Sequence, residues 1–442
     1  MAAIDYRHQD TAAAFLAERR FAYLADEPGL GKTRSVVKGA DKAGIRRILV
    51  SCPGVIRRVW ESEFEEWQSV DRPIVVEEGF LTRSPSRDGV TIVSHAVFSH
   101  APSRDALRAG APYDLLVVDE ARAFCQFQAA RTEALYGLAG IGGLVSMSER
   151  YWAVDGSVVV NSAADLYPLM FGVLRTPVDW HDFCSHYCEM RPDAYLGVKP
   201  VGVRNAAELA AGLRPHLLRR TIASLGIEMP PLETRATALA TDPAAVSRVM
   251  AGLEGWTPAR LTAALEETDE LRDAALSRVR RALGMAKAAA AAAHIEAVLA
   301  GGDGPYVAFF QHTDVRREMH AALAAAGRQV SWIDGTVTAR QLRAAREWFQ
   351  AGRLDALLVQ TQAGGQGLTL TRSHRAAIVE LPWTATAVGQ AYKRIHRIGQ
   401  TKACIGEALT APGCWLDEVM AKVVDRKRRD GDELLALLTS DA

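Results

Sequence analysis

The chain has 442 residues, 49% hydrophobic and 24% charged, which is too long for one ordinary core, suited to two or three domains, and too apolar for wholesale disorder. Fifty-two Lys and Arg balance fifty-two Asp and Glu. That balance excludes a globally basic nucleic-acid binder and leaves only a local groove for any such contact.

From the N-terminus, apolar runs at 21–25, 47–50, 90–93, 115–118 and 151–154 are β-rich and four or five residues long, as parallel strands buried on both faces are. Helical spacing at 33–42 and 54–67 lies between them, so this part reads as a doubly wound α/β lobe. In such sheets ligands gather at the carboxyl ends of strands. Two segments fall there: Asp26-Glu27-Pro28-Gly29-Leu30-Gly31-Lys32-Thr33, and Asp119-Glu120. From about 176 to 283 the strand signal fades into helical, polar text with turns at Pro200, Pro230-Pro231 and Pro243. A second α/β series follows, with strands expected at 306–310, 330–333, 356–359 and 376–380 and a closing helix over 414–438. The alanine run 288–293 keeps helical apolar spacing with Met285, Ile295, Val298 and Leu299, so it reads as an ordinary helix. The expected organisation is a first lobe over 1–225, a helical insertion and linker over 226–284, a second lobe over 285–412 and a C-terminal helix over 413–442.

Six scattered cysteines suit a reducing compartment better than a disulfide framework. No apolar run approaches the roughly 18 residues of a bilayer span, and Asp5 and Asp10 stand where a basic leader would begin. A cytoplasmic protein without a membrane partner is expected. His181, Cys184, His186 and Cys188 have a zinc-like composition, but their spacing on one helix cannot converge on one metal, so no zinc is expected.

The chemistry sits at opposite ends of the chain. Gly29 and Gly31 permit positive φ and close backbone approach, so successive N–H groups can cradle phosphate oxygens at a helix start. Lys32 would then reach the outer phosphates of ATP, and the Thr33 hydroxyl would ligate Mg²⁺. Asp119 would hold the same Mg²⁺ through water, and Glu120 would orient or deprotonate the attacking water. Far downstream, Gln390, Arg394 and Arg397 stand at i, i+4 and i+7, one stripe if helical, with guanidinium groups suited to a γ-phosphate. Cradle and fingers belong to different lobes, so hydrolysis would require the lobes to close.

These residues resemble the Swi/Snf-type ATPases of helicase superfamily two. The resemblance extends over nearly the whole chain. Ile48 to Pro53 with Trp60, Phe64 and Trp67 is similar to the family's segment Ia, Gln362 to Leu370 to its segment V, Leu381-Pro382-Trp383 to the stretch before segment VI, and Gln390 to Gln400 to segment VI itself. It implies two RecA-like lobes and a DNA-stimulated ATPase that moves along double-stranded DNA. It also implies an adenine-reading role for Gln9 and a DNA groove along Ser51, Pro53, His95, His312, Gly364, Gly365 and Trp383. The middle segments, Phe183 to Cys188, Gly202 to Asn205 and Leu217 to Arg220, resemble the annealing-helicase branch, which remodels branched DNA. Departures are plain. Arg122 replaces the histidine of Asp-Glu-Ala-His, Asp155-Gly156-Ser157-Val158 replaces Thr-Gly-Thr-Pro, and Pro28 replaces a methionine. Two alternatives stay open: a strand-separating DNA or RNA helicase, and a non-hydrolysing clamp that reads ATP and recruits partners. The basic run 426–429 reads as a solvated helix face. The chain reads as a minimal motor targeted by DNA structure or by another protein, nucleoid-associated if its genome is prokaryotic or viral.

Overall fold

The computed structural model describes residues 7–138, 142–156, 162–174, 178–193, 197–253, 255–267, 274–361, 368–383 and 385–423. It divides into two compact units, with the boundary between Ile227 and Glu228. Both are α/β, as expected.

The first unit is built on seven parallel strands: β1 (Phe21–Leu24), β2 (Arg47–Cys52), β3 (Ile74–Val76), β4 (Gly89–Ser94), β5 (Tyr113–Asp119), β6 (Ser148–Val154) and the two-residue β9 (Leu217–Leu218). Their order is β3-β4-β2-β5-β6-β1-β9. Between β6 and β9 in sequence, β7 (Glu189–Asp193) and β8 (Gly197–Val201) form a separate antiparallel hairpin. Alternation explains the continuous apolar runs. Leu49, Leu116 and Val118 pack with Phe98 and Phe124 on one face of the sheet, while Ile48, Val50, Leu115 and Val117 pack with Trp60, Phe64 and Trp152 on the other. Each such burial contributes about 1.5–3 kcal/mol relative to exposure. Helix α1 (Arg7–Ala17) precedes β1 in sequence, α2 (Lys32–Lys42) lies between β1 and β2, and α3 (Arg57–Trp67) between β2 and β3.

The second unit carries six parallel strands in the order β10-β15-β14-β11-β13-β12. These are β10 (Leu232–Ala238), β11 (Tyr306–Phe310), β12 (Val330–Ile333), β13 (Ala356–Gln360), β14 (Arg375–Ile378) and β15 (Cys404–Thr410). Here the expected helical insertion needs correction. β10 pairs along its whole length with β15, so the stretch after 226 belongs to the second sheet, and the second unit begins at Glu228. β10 is an edge strand with mostly exposed side chains, so it lacks the apolar run that marks an inner strand. Pro200 lies inside β8, and Pro243 opens helix Pro243–Ala251 behind an Asp242 cap. Val246, Leu253, Leu261 and Leu265 then pack in the same core as Val307 and Phe309.

Helix Ala274–Ala300 has 27 residues, and Ala275–Ala300 is long and apolar enough to cross a membrane by length and composition, contrary to the expectation from the sequence. It behaves as a core helix. Ala288, Ala291, Ala292, Ile295 and Leu299 pack with Tyr306, Ala308 and Phe310, and the buried Lys287 ammonium donates to Asp417 at 2.9 Å and to the Leu409 carbonyl at 3.0 Å. The closing helix is described over 415–423; the remainder, including Arg426 to Arg429, lies outside the described residues.

Candidate active site

β1 runs through Asp26 and Glu27 into a loop that depends on two glycines, with φ of 100° at Gly29 and 75° at Gly31. A Cβ on Gly31 would lie 2.1 Å from Gln9 Nε2. No side chain can replace that hydrogen without displacing Gln9, whose amide donates to the Leu30 carbonyl at 3.3 Å. The His8 ring also contacts that carbonyl, at 3.1 Å. α1 is thereby fastened to the loop. α2 starts at Lys32 without a side-chain cap, leaving its first N–H groups to an anion. Lys32 Nζ donates to the Asp26 carbonyl at 2.8 Å, and Thr33 follows in the first turn.

Asp26 is held from the segment just after β9. Its carboxylate accepts the Arg220 backbone N–H at 2.9 Å and Nε at 3.1 Å, while Arg220 Nη1 reaches the His8 carbonyl at 2.6 Å. Arg220 therefore braces both α1 and the phosphate loop, a role that motif reading missed. The available signal was Asp26 itself, a carboxylate directly after a buried strand, which requires a counter-charge.

β6 lies between β1 and β5, so the tips of β1 and β5 end on the same sheet edge. Asp119 Oδ1 accepts the Glu120 N–H at 2.9 Å, and Oδ2 accepts Trp60 Nε1 at 2.9 Å. Glu120 then adopts a left-handed conformation, φ 49° and ψ 54°, which costs about 1–3 kcal/mol outside glycine and is typical of functional turns. Burial lowers the Lys32 pKa, opposed by the charges of Glu120, Asp119, Asp26 and Asp155. Burial also pushes Asp119 up to about 6, and burial with Asp155 and Asp119 pushes Glu120 up to about 8. Carboxylates crowded around one ammonium favour a divalent cation, and the glycine loop with its uncapped helix suits a triphosphate. The residues fit Mg²⁺ and ATP.

Two departures from the family pattern are neighbours. The Arg122 N–H donates to Asp155 Oδ2 at 3.1 Å, and Asp155 is fully buried. Burial disfavours the Arg122 guanidinium, but the charges of Asp155 and Glu120 outweigh it. Ser157 and Val158 lie outside the described residues.

The expected DNA residues divide. Ser51 is fully buried and its hydroxyl meets His95 Nδ1 at 2.7 Å. The His95 ring stands edge-on to Phe124, and burial pushes its pKa down to about 3. The Ser51 side chain is turned to the interior, which corrects the expectation that it faces DNA, while His95 is half-buried beside it. Pro53 precedes the turn Gly54–Ile56 at the end of β2 and is half-buried. In the second unit, His312 Nδ1 pairs with Glu380 at 2.7 Å, and the Arg280 guanidinium stacks 3.9 Å from the Trp383 ring centroid. Gly364 and Gly365 lie outside the described residues.

The expected helical stripe of Gln390, Arg394 and Arg397 is also corrected. Helix Ala385–Tyr392 contains Gln390 but stops short of both arginines. The chain tightens there: Arg394 N–H donates to Ala391 and Ile395 N–H to Tyr392, each at 3.1 Å. The Gln400 amide then clamps the turn, donating to Ile395, Thr371 and Ser373 carbonyls at 3.0, 3.1 and 2.8 Å. Tertiary contacts place these arginines. Arg394 is buried, and Arg397 reaches the Lys393 carbonyl at 3.0 Å and Thr369 Oγ1 at 3.2 Å. Burial pushes Arg397 down to about 10, still cationic at neutral pH.

A family model described as the helicase conserved C-terminal domain matches residues 291–399. The mouse (Mus musculus) DNA annealing helicase and endonuclease ZRANB3 is 25% identical over 426 residues, 91% of this chain and 38% of that protein. The Xenopus tropicalis SWI/SNF-related matrix-associated actin-dependent regulator of chromatin subfamily A-like protein 1 is 24% identical over 396 residues, 88% of this chain and 40% of that protein. Together these matches support a Swi/Snf-type ATPase of helicase superfamily two. The chain spans about two fifths of the length of these curated relatives. Among solved structures, the Sulfolobus solfataricus SWI2/SNF2 ATPase core in complex with dsDNA is 18% identical, covers 98% of this chain and 95% of that one, and has a TM-score of 0.42.

Proposed function

We propose that this Swi/Snf-type chain is a DNA-stimulated ATPase that moves along double-stranded DNA and remodels or anneals branched DNA. The observation that carries the reading is the convergence of Lys32, Asp119 and Glu120 behind an uncapped, glycine-built loop. The loop amides and Lys32 would hold the phosphates, Thr33 and Asp119 would hold Mg²⁺, and Glu120 would take the proton of the attacking water. Mg²⁺ supplies neutralisation of the phosphate charge when bound. Arg394 and Arg397, from the second unit, would complete the site on closure, which links turnover to a change of grip on DNA. Names of the relatives that include DNA annealing support the branched-DNA part. All six cysteines lack disulfides, which supports a cytoplasmic setting.

Phosphate release measured without nucleic acid and with single strand, duplex, fork and RNA tests this reading. Stimulation by duplex or fork DNA is expected. RNA stimulation with strand separation would favour a helicase, and sound ATP binding with no stimulated turnover would favour a clamp.

A further inference from the structure

Asp119 is oriented by a residue outside both the phosphate loop and the strand tips. Trp60 and Phe64 are the buried residues of α3, both 0% exposed, with ring centroids 6.1 Å apart. An indole has one donor and no acceptor, so inside a core it needs a partner. Trp60 finds that partner at the end of β5, in Asp119 Oδ2 at 2.9 Å, while Oδ1 is taken by the Glu120 N–H at 2.9 Å. With one donor on each oxygen, the carboxylate cannot rotate without breaking a buried hydrogen bond. One further lone pair on each oxygen remains for water or metal.

We infer that Trp60 is a positioning residue for Asp119, fixing the carboxylate through its indole N–H in the orientation that receives hydrated Mg²⁺. The inference rests on the proposed reading that Asp119 holds Mg²⁺. Its removal should therefore weaken metal binding while leaving the phosphate loop untouched.

Trp60→Phe keeps most of the ring and removes the donor. Trp152→Phe is the control for lost packing: Trp152 lies in the same core, and its indole donates to the Arg19 carbonyl at 3.1 Å instead. ADP binding is measured by calorimetry across a Mg²⁺ titration and in EDTA. The expected result for W60F is unchanged metal-free ADP binding and a Mg²⁺ requirement raised about tenfold, with W152F matching the wild type. A W60F titration that overlays the wild type, or an equal shift in W152F, overturns the inference. If wild-type ADP binding ignores Mg²⁺, the metal-site reading itself fails, a separate outcome. Should W60F not fold, ¹⁵N-tryptophan labelling of the wild type resolves the nine indoles. One indole protected from exchange should respond to Mg²⁺–ADP and not to ADP alone; no such signal overturns the inference.

Discussion

Replacing Asp155 by Asn removes a negative charge near Glu120 while keeping an oxygen that can accept the Arg122 N–H. Glu120 sits at about 8 because of burial first, then Asp155 and Asp119, with Lys32 and Arg122 opposing. Burial persists in the variant, so only part of the rise is removed. One pKa unit corresponds to about 1.4 kcal/mol, and with burial the leading cause a displacement of about one unit is expected from loss of the Asp155 charge. Glu120 must be ionised to accept a proton, so activity falls as pH drops through its pKa. The pH dependence of kcat/KM reports the free enzyme, and its acid limb should move from a midpoint near 8 to roughly 7 in D155N. At pH 7 the ionised fraction rises from about one tenth to about one half, so kcat/KM should rise roughly fivefold. Arg122→Gln, which removes a cation, should move the limb the other way. A D155N limb at the wild-type position, or displaced to higher pH, would refute the electrostatic reasoning.

Two further substitutions follow. Arg397→Ala should still bind ATP while turnover drops by about 10³-fold; normal phosphate release would place the finger elsewhere. Glu407 is fully buried on β15, and although burial raises its pKa, hydrogen bonds from His294, Tyr306, Thr237 and Arg235 outweigh it and hold the carboxyl well below its usual range. A depressed folded-state pKa gives stability that is present above the unfolded value near 4.5 and lost as pH falls. Glu407→Gln should therefore lower stability by about 2 kcal/mol at pH 7, with the difference shrinking in acid. Urea midpoints that are equal at pH 7 would contradict this.

The inner strands were legible because an apolar run such as Leu115-Leu116-Val117-Val118 must bury both faces. β10 was not, because an edge strand reading LETRATA carries no such run. β15 was hidden similarly, since Glu407 interrupts its pattern and is satisfied only by partners far away in sequence. At the site, Gly29, Gly31, Lys32, Asp119 and Glu120 could be read because the chemistry depends on local spacing. Trp60 on Asp119 and Arg220 on Asp26 could not, being joined across 59 and 194 residues. The arginine stripe failed because the Gln400 clamp, a tertiary device, ends the helix where periodicity alone would extend it.

Steady-state phosphate release by wild type and Lys32→Ala, each with Mg²⁺ and with or without duplex DNA, is the most direct measurement. Wild type should be slow alone and strongly stimulated by duplex, and Lys32→Ala should be silent in both conditions. DNA-stimulated release that survives loss of the Lys32 ammonium would mean that nucleotide is hydrolysed somewhere other than the loop between β1 and α2.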